Sequence, residues 1–266
     1  MNQGSNNRRL SGRPTTYPIL LAVLGTLATN SVLVAQEPNK VDYGDAITQF
    51  RQVVDEELQR GILTGVSVGL VDGQTPILID GFGFANKERN IPADATTIYR
   101  VGSISKLFSA VSVMQLIEKD KLDLDRPITD VLPEFRIANP FPDAKEVTLR
   151  QLMCHRSGLV RESPIGGYLD PNEPSVEASI QSLAGCALVN PPSSKTRYSN
   201  IGVTVVGQAV AAASQQAFSD YQQEHLLGPL GMAHSAWRMN DRLRDKLAAG
   251  YMRVADNEGG FYHTQA

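Results

Sequence analysis

At Tyr99-Arg100-Val101-Gly102-Ser103-Ile104-Ser105-Lys106 the hydropathy pattern changes from strand-like to helical. Beyond Tyr99, Ile104, Leu107, Phe108, Val111, Met114 and Ile117 recur at three- and four-residue steps, which predicts an amphipathic helix with one apolar face, ended by the polar run from Lys119 to Asp125. Ser103 and Lys106 stand three residues apart at its start. A hydroxyl and an amine at that spacing share a helix face about one turn apart and can touch. Gly102 lets the backbone approach a substrate closely, and the helix N-terminus aims amide N–H groups and the positive end of its dipole at an anion.

A serine hydroxyl is a weak nucleophile until a neighbour takes its proton, and an amine does this where burial or nearby positive charge favours its neutral form. Lys106 is the candidate for that role. The alternative is a serine N-cap followed by a solvated lysine, a spacing expected about once by chance in such a chain. Two features favour chemistry. Lys106 lies between Ile104, Leu107 and Phe108, toward the apolar stripe. Far downstream, Tyr198-Ser199-Asn200 opens a second helix and offers a phenol as proton carrier and a carboxamide to hold a substrate amide.

Working outward, Ile47, Phe50, Val53, Val54 and Leu58 predict an amphipathic helix from Asp45 to Gln59, closed by Gly61 and Gly65. Val66 to Val71 and Pro76 to Phe84 read as two antiparallel strands joined by a turn at Asp72-Gly73. On the C-terminal side, Thr148 caps a short helix through Met153, which the turn residues Ser157-Gly158 stop. Arg161 to Pro174, rich in Pro, Gly and acidic residues, reads as a loop that lines a cleft. Asn200 to Ala213 is almost wholly apolar or small, so this helix should be buried on most sides. A further helix runs from Ser219 to Leu227 and ends at Gly228-Pro229.

A chain of 266 residues with 42% hydrophobic content holds one sizeable core, or a core with a subordinate lobe, which excludes a disordered or fibrous protein. Its formal charge of −3 includes Arg8, Arg9 and Arg13 at the extreme N-terminus, so the rest of the chain is more acidic still and holds no basic cluster for nucleic acid. Residues 1–35 read as a targeting segment: arginines precede an apolar run from Ile19 to Ala28, and Leu33-Val34-Ala35 suits cleavage before Gln36. The same segment also suits an uncleaved N-terminal anchor, the one route by which this chain would touch a membrane. Either way the protein is expected to be exported, to the periplasm or the cell exterior, with a single domain over residues 41–266. Cys154 and Cys186 read as two buried free thiols. His155, His225, His234 and His263 are scattered singly and read as structural, so no metal site and no cofactor is expected.

In its motifs the chain resembles the serine β-lactamases and penicillin-binding proteins, in the branch shared with class C β-lactamases, D-alanyl-D-alanine carboxypeptidases and related esterases. The matching stretches are Gly65-Val66-Ser67-Val68-Gly69, the opening segment through Lys106, Leu122 to Asp125 with Pro127, Leu149 to Leu159, Tyr198-Ser199-Asn200, and Leu227 to Met232. Their order and spacing cover most of residues 60–235 and are far more specific than any one motif. The resemblance implies an α+β, β-lactamase/transpeptidase-like fold, an antiparallel sheet flanked by helices plus a helical lobe. It implies an acyl-enzyme formed on Ser103, with Lys106 and Tyr198 sharing the serine proton, Asn200 holding the substrate amide, and one oxyanion N–H from Ser103 itself. The substrate would be a small molecule or peptidoglycan-derived: a β-lactam, a D-alanyl peptide or a small ester.

One element of the family pattern has no counterpart. Relatives carry a C-terminal strand with Lys-Thr-Gly or His-x-Gly that supplies the second oxyanion N–H. His263-Thr264-Gln265 lacks the glycine and comes too early, so the sheet's C-terminal strands are expected to be missing and the chain to be incomplete at that end. Losing an oxyanion donor costs about 10²–10³ in rate, so activity should be poor if the chain ends at Ala266. The alternative function is then a non-hydrolytic penicillin-binding or sensor protein.

Overall fold

The computed structural model describes residues 41–167, 170–255 and 261–265; the targeting segment expected over residues 1–35 lies outside them. Helix α1 (Gly44–Gln59) turns Val54 inward and packs on strand β2. Strands β1 (Gly65–Asp72) and β2 (Thr75–Asn86) pair antiparallel from Gly65 opposite Gly83 to Asp72 opposite Thr75. Asp72 is therefore the last paired residue, and the turn is Gly73-Gln74, one position later than the sequence suggests. The reason is that Gly73 takes the left-handed backbone, with φ at +59°, that a tight hairpin turn demands. Short β3 (Ile91–Pro92) pairs with the other edge of β2, so the sheet order is β1-β2-β3. A separate antiparallel ribbon joins β4 (Tyr251–Ala255) to β5 (Phe261–Gln265), which contains His263. The Tyr251 hydroxyl ties this ribbon to the sheet region, accepting from Lys87 N at 2.6 Å and donating to Glu88 Oε2 at 2.5 Å.

The helical part carries the main core. Helix α2 (Ser105–Ile117) follows a 3-10 turn at Gly102–Ile104 and packs on α5 (Asn200–Ser214), which also receives α3 (Leu149–Met153), α4 (Val176–Gln181) and α6 (Phe218–Gln222). Thr148 and Gln151 form a reciprocal capping box on α3, which satisfies two otherwise orphaned N–H groups of so short a helix. Val113 and Leu116 of α2, Leu149 and Leu152 of α3, and Val205, Val206, Ala209 and Val210 of α5 are almost fully buried in one cluster. Helix α5 is buried over most of its surface, as its composition demands. Helix α6 runs on into a π-helical turn, Gln223–Leu227, and a short α7 (Asp241–Arg244) comes later.

Two expectations are corrected. The apolar stripe of α2 faces solvent over most of its length: Ile104 is 62% exposed and Leu107 65%, Val111 and Met114 are exposed too, and only Phe108 and Ile117 are half-buried, Ile117 against the core. The buried face is Ser109, Ser112, Val113 and Leu116, because α5 lies on that side and the buried Gln222 donates to Ser112 Oγ at 2.7 Å and to Phe108 O at 3.2 Å. Ser112 is tolerated there because Gln222 Nε2 hydrogen-bonds it. Lys106 falls in line with Ser109, Val113 and Leu116, so it belongs to this buried face and not to the stripe. The cysteines also differ from expectation. Both are free, but Cys154 is exposed and Cys186 only half-buried, since Cys154 is the residue at which α3 ends and only Leu149 and Leu152 of that helix turn inward.

Gly158 pins the turn after α3. Its φ is +79°, and a Cβ there would sit 2.1 Å from the Asn190 carbonyl oxygen, while Val189 N donates to the Gly158 carbonyl at 2.8 Å. Gly158→Ala should therefore lower stability by about 1–3 kcal/mol. A thermal melt should show a fall of several degrees, and an unchanged midpoint would contradict this assignment.

Candidate active site

Three segments meet at Ser103: the entry to α2, the entry to α5, and the turn and loop after α3. The 3-10 turn presents Ser103 at the surface, preceded by Gly102 with φ at +51° and open space where a Cβ would stand. One turn on, half-buried Lys106 donates from Nζ to Ser103 Oγ at 3.1 Å. Tyr198 Oη lies 2.6 Å from the same Oγ. The serine hydroxyl thus sits between an amine and a phenol.

Tyr198 is held from both sides along the chain. The next residue, Ser199, is buried; its Oγ accepts from Gly202 N at 2.9 Å as the N-cap of α5 and donates to Val160 O at 2.7 Å. Two cations lie over the Tyr198 ring, Lys106 Nζ at 4.9 Å and Arg161 Cζ at 5.3 Å from its centroid. The phenol is more acidic than an ordinary tyrosine, first through a hydrogen bond from Lys106, then through Ser103 and the positive charges of Lys106 and Arg161.

Asn200 begins α5. Its side-chain Nδ2 donates to Glu162 Oε1 at 2.6 Å and its backbone N to Arg161 O at 2.8 Å, while Glu162 pairs with Arg161 at 3.4 Å. Ser103, Lys106 and Tyr198 are therefore brought into direct contact, and Asn200 stands beside them, oriented by a carboxylate. Beside Lys106 and Asn200 a cleft of about 710 Å³ opens between α2 and α5, lined also by Ser109, Val203, Phe218 and Trp237. Phe218 and Trp237 meet edge to face with centroids 4.8 Å apart. Pro174, at the end of the loop expected to border a cleft, lines it too.

Three residues of the site were not singled out from the sequence. His155 lies against Tyr198, with ring centroids 4.4 Å apart, although it reads as one of four scattered histidines. Arg161 and Glu162 head the cleft-lining loop. Their signal was an adjacent pair of opposite charges in a segment otherwise rich in turn residues, which by itself names no partner.

These segments all fall within residues 50–263, which match the family model described as Beta-lactamase. Beta-lactamase-like protein 2 of Dictyostelium discoideum is 30% identical over 224 residues, covering 80% of this chain and 41% of that protein. The chain thus spans well under half the length of that relative. Among solved structures, D-amino acid amidase from Ochrobactrum anthropi SV3 aligns at 25% identity with a TM-score of 0.67, over 80% of this chain and 57% of that one. EstCE1, a hydrolase with promiscuous acyltransferase activity, aligns at 22% identity with a TM-score of 0.68, over 82% of this chain and 63% of that one. The fold is β-lactamase/transpeptidase-like, helices around a small antiparallel sheet. Because one match takes in every segment that converges on Ser103, the chain belongs to the Beta-lactamase family.

Proposed function

We propose that this chain is a serine hydrolase that forms an acyl-enzyme through Ser103, acting on small esters, D-alanyl peptides or amides, or β-lactams. The observation that carries the reading is the contact chain from Lys106 Nζ to Ser103 Oγ to Tyr198 Oη, at 3.1 and 2.6 Å. As Ser103 Oγ attacks a carbonyl carbon, its proton passes to the Tyr198 phenolate, whose formation Lys106 and Arg161 favour. The tetrahedral oxyanion collapses, the bond to the leaving group breaks, and the Tyr198 proton goes to the departing nitrogen or oxygen. Water then attacks the ester on Ser103 with the same groups in reversed roles. Asn200, with its nitrogen engaged by Glu162, offers its side-chain oxygen to a substrate N–H. The largely apolar cleft with Phe218 and Trp237 supports a substrate that carries an apolar or aromatic side group.

Export through the N-terminal segment belongs to the same proposal, supported by arginines ahead of an apolar run. In this mechanism the working form of Tyr198 is the phenolate, so the rate rises with pH through the lowered phenol ionisation. Tyr198→Phe should cost roughly 10²-fold or more in acylation rate and flatten that rise, read from labelling rates across pH. The reading itself is tested by stopped-time assays with a fluorescent penicillin, a p-nitrophenyl ester and a D-amino acid amide. Continuous product release from at least one supports a hydrolase; a single stoichiometric burst supports a trapping protein; no acylation by any of them overturns the proposal.

A further inference from the structure

His155 grips the chain on both sides of Tyr198. Its carbonyl oxygen accepts from Arg197 N at 2.7 Å, and its imidazole Nδ1 accepts from Ser199 N at 3.3 Å. The imidazole also lies against the phenol, with ring planes 36° apart. To present both acceptors to one short segment, the His155 backbone takes a left-handed conformation with φ at +57°, immediately after the residue that ends α3. Glycine or asparagine takes that position at a helix end at least cost, and a bulkier residue there is held by its surroundings. At this position the surroundings are the Tyr198 segment.

We infer that His155 is a positioning residue for Tyr198, and that it holds the phenol against Ser103 only while its Nδ1 carries no proton. The inference rests on the reading of Tyr198 as the acceptor of the Ser103 proton. A backbone N–H can only donate, so Nδ1 must be the acceptor and the ring proton of the neutral form belongs on Nε2. The charged and titratable groups that face the ring are Tyr198 from the α5 entry and Lys106 from α2, with Arg161 on the same phenol. An imidazolium would join two cations already there, and its Nδ1–H would point at the Ser199 N–H. Burial first, and the Lys106 charge second, hold His155 below the ordinary imidazole value. The sign follows directly: the neutral, accepting ring persists to a pH below that value, and the grip fails as pH falls through the lowered ionisation.

Two variants and one spectroscopic measurement on the full chain test this. His155→Phe keeps a ring against Tyr198 and removes the acceptor. His155→Asn keeps an acceptor, tolerates the left-handed backbone and cannot titrate. With a fluorophosphonate as probe, the Phe variant should label Ser103 about tenfold more slowly. The Asn variant should restore most of the rate and lose the extra steepness at low pH that His155 adds, keeping only the shallower fall set by the Tyr198 phenol. An unchanged rate and pH profile in the Phe variant, or an unchanged acid fall in the Asn variant, would overturn the inference. Nitrogen-15 NMR of the wild-type imidazole should show His155 as the neutral form protonated on Nε2 at pH 7.5, titrating below the ordinary imidazole value. A proton on Nδ1 at that pH overturns the inference whether or not the chain labels. Failure of wild-type labelling is a separate result, counting against the proposed function and leaving the NMR outcome to decide His155.

Discussion

The Ser103→Ala chain should keep its fold and take up no fluorophosphonate or fluorescent penicillin. Ser103 is exposed at a 3-10 turn, and no core residue leans on its side chain. Removing Oγ deletes two hydrogen bonds at the surface, so the stability change should stay within about 0.5 kcal/mol. Chemistry should be lost, because among the described residues Ser103 is the one serine or threonine whose hydroxyl hydrogen-bonds to Lys106 or Tyr198. Equal circular dichroism spectra with a dark band on a labelling gel is the expected pair of results. A band of wild-type intensity would mean that another nucleophile reacts.

Lys106→Ala should slow acylation by roughly 10²–10⁴-fold, with part of the loss recovered at higher pH. Lys106 supplies the hydrogen bond to Ser103 and the leading influence that makes Tyr198 acidic. Without it the Tyr198 ionisation moves back up toward the ordinary phenol value, so at neutral pH less phenolate is present to take the serine proton. The same substitution removes the charge that helps to hold His155 down, so the acid fall should move to higher pH. Both changes act on the acid side, so the rising limb of the pH–rate profile of labelling should move to higher pH. Arginine is no substitute, because a guanidinium stays charged and brings a planar fork where one compact group fits. A Lys106→Ala profile that is lower but unshifted would contradict the coupling to Tyr198.

What the amino-acid pattern revealed, and what it concealed, follows from the range of each interaction. Ser103 and Lys106 were legible because helix geometry alone brings positions three apart together. Tyr198 and Asn200 were legible only through the order of segments, since no local rule joins residues so distant in the chain. The β1–β2 hairpin, the Thr148 cap and the burial of α5 were likewise written in local chemistry. The orientation of α2 was not. Ile104, Leu107, Val111 and Met114 make the stronger stripe, yet α5 packs on the face bearing Ser109 and Ser112, where Gln222 satisfies a serine. Hydropathy ranks faces by composition, whereas burial depends on which neighbour arrives. His155 was hidden for a related reason: its role uses a left-handed backbone and its own carbonyl, neither of which side-chain identity reports. Glu162 was hidden because its partner, the Asn200 amide, is distant in the chain.

The amine and phenol around Ser103 should make that one hydroxyl the nucleophile of this chain. Mass spectrometry of the full chain after brief exposure to a fluorophosphonate, followed by peptide mapping, tests it most directly. One adduct per chain is expected, on the peptide containing Ser103 and at that residue. An adduct on any other residue, or an unmodified Ser103 in folded protein after prolonged exposure, would contradict it.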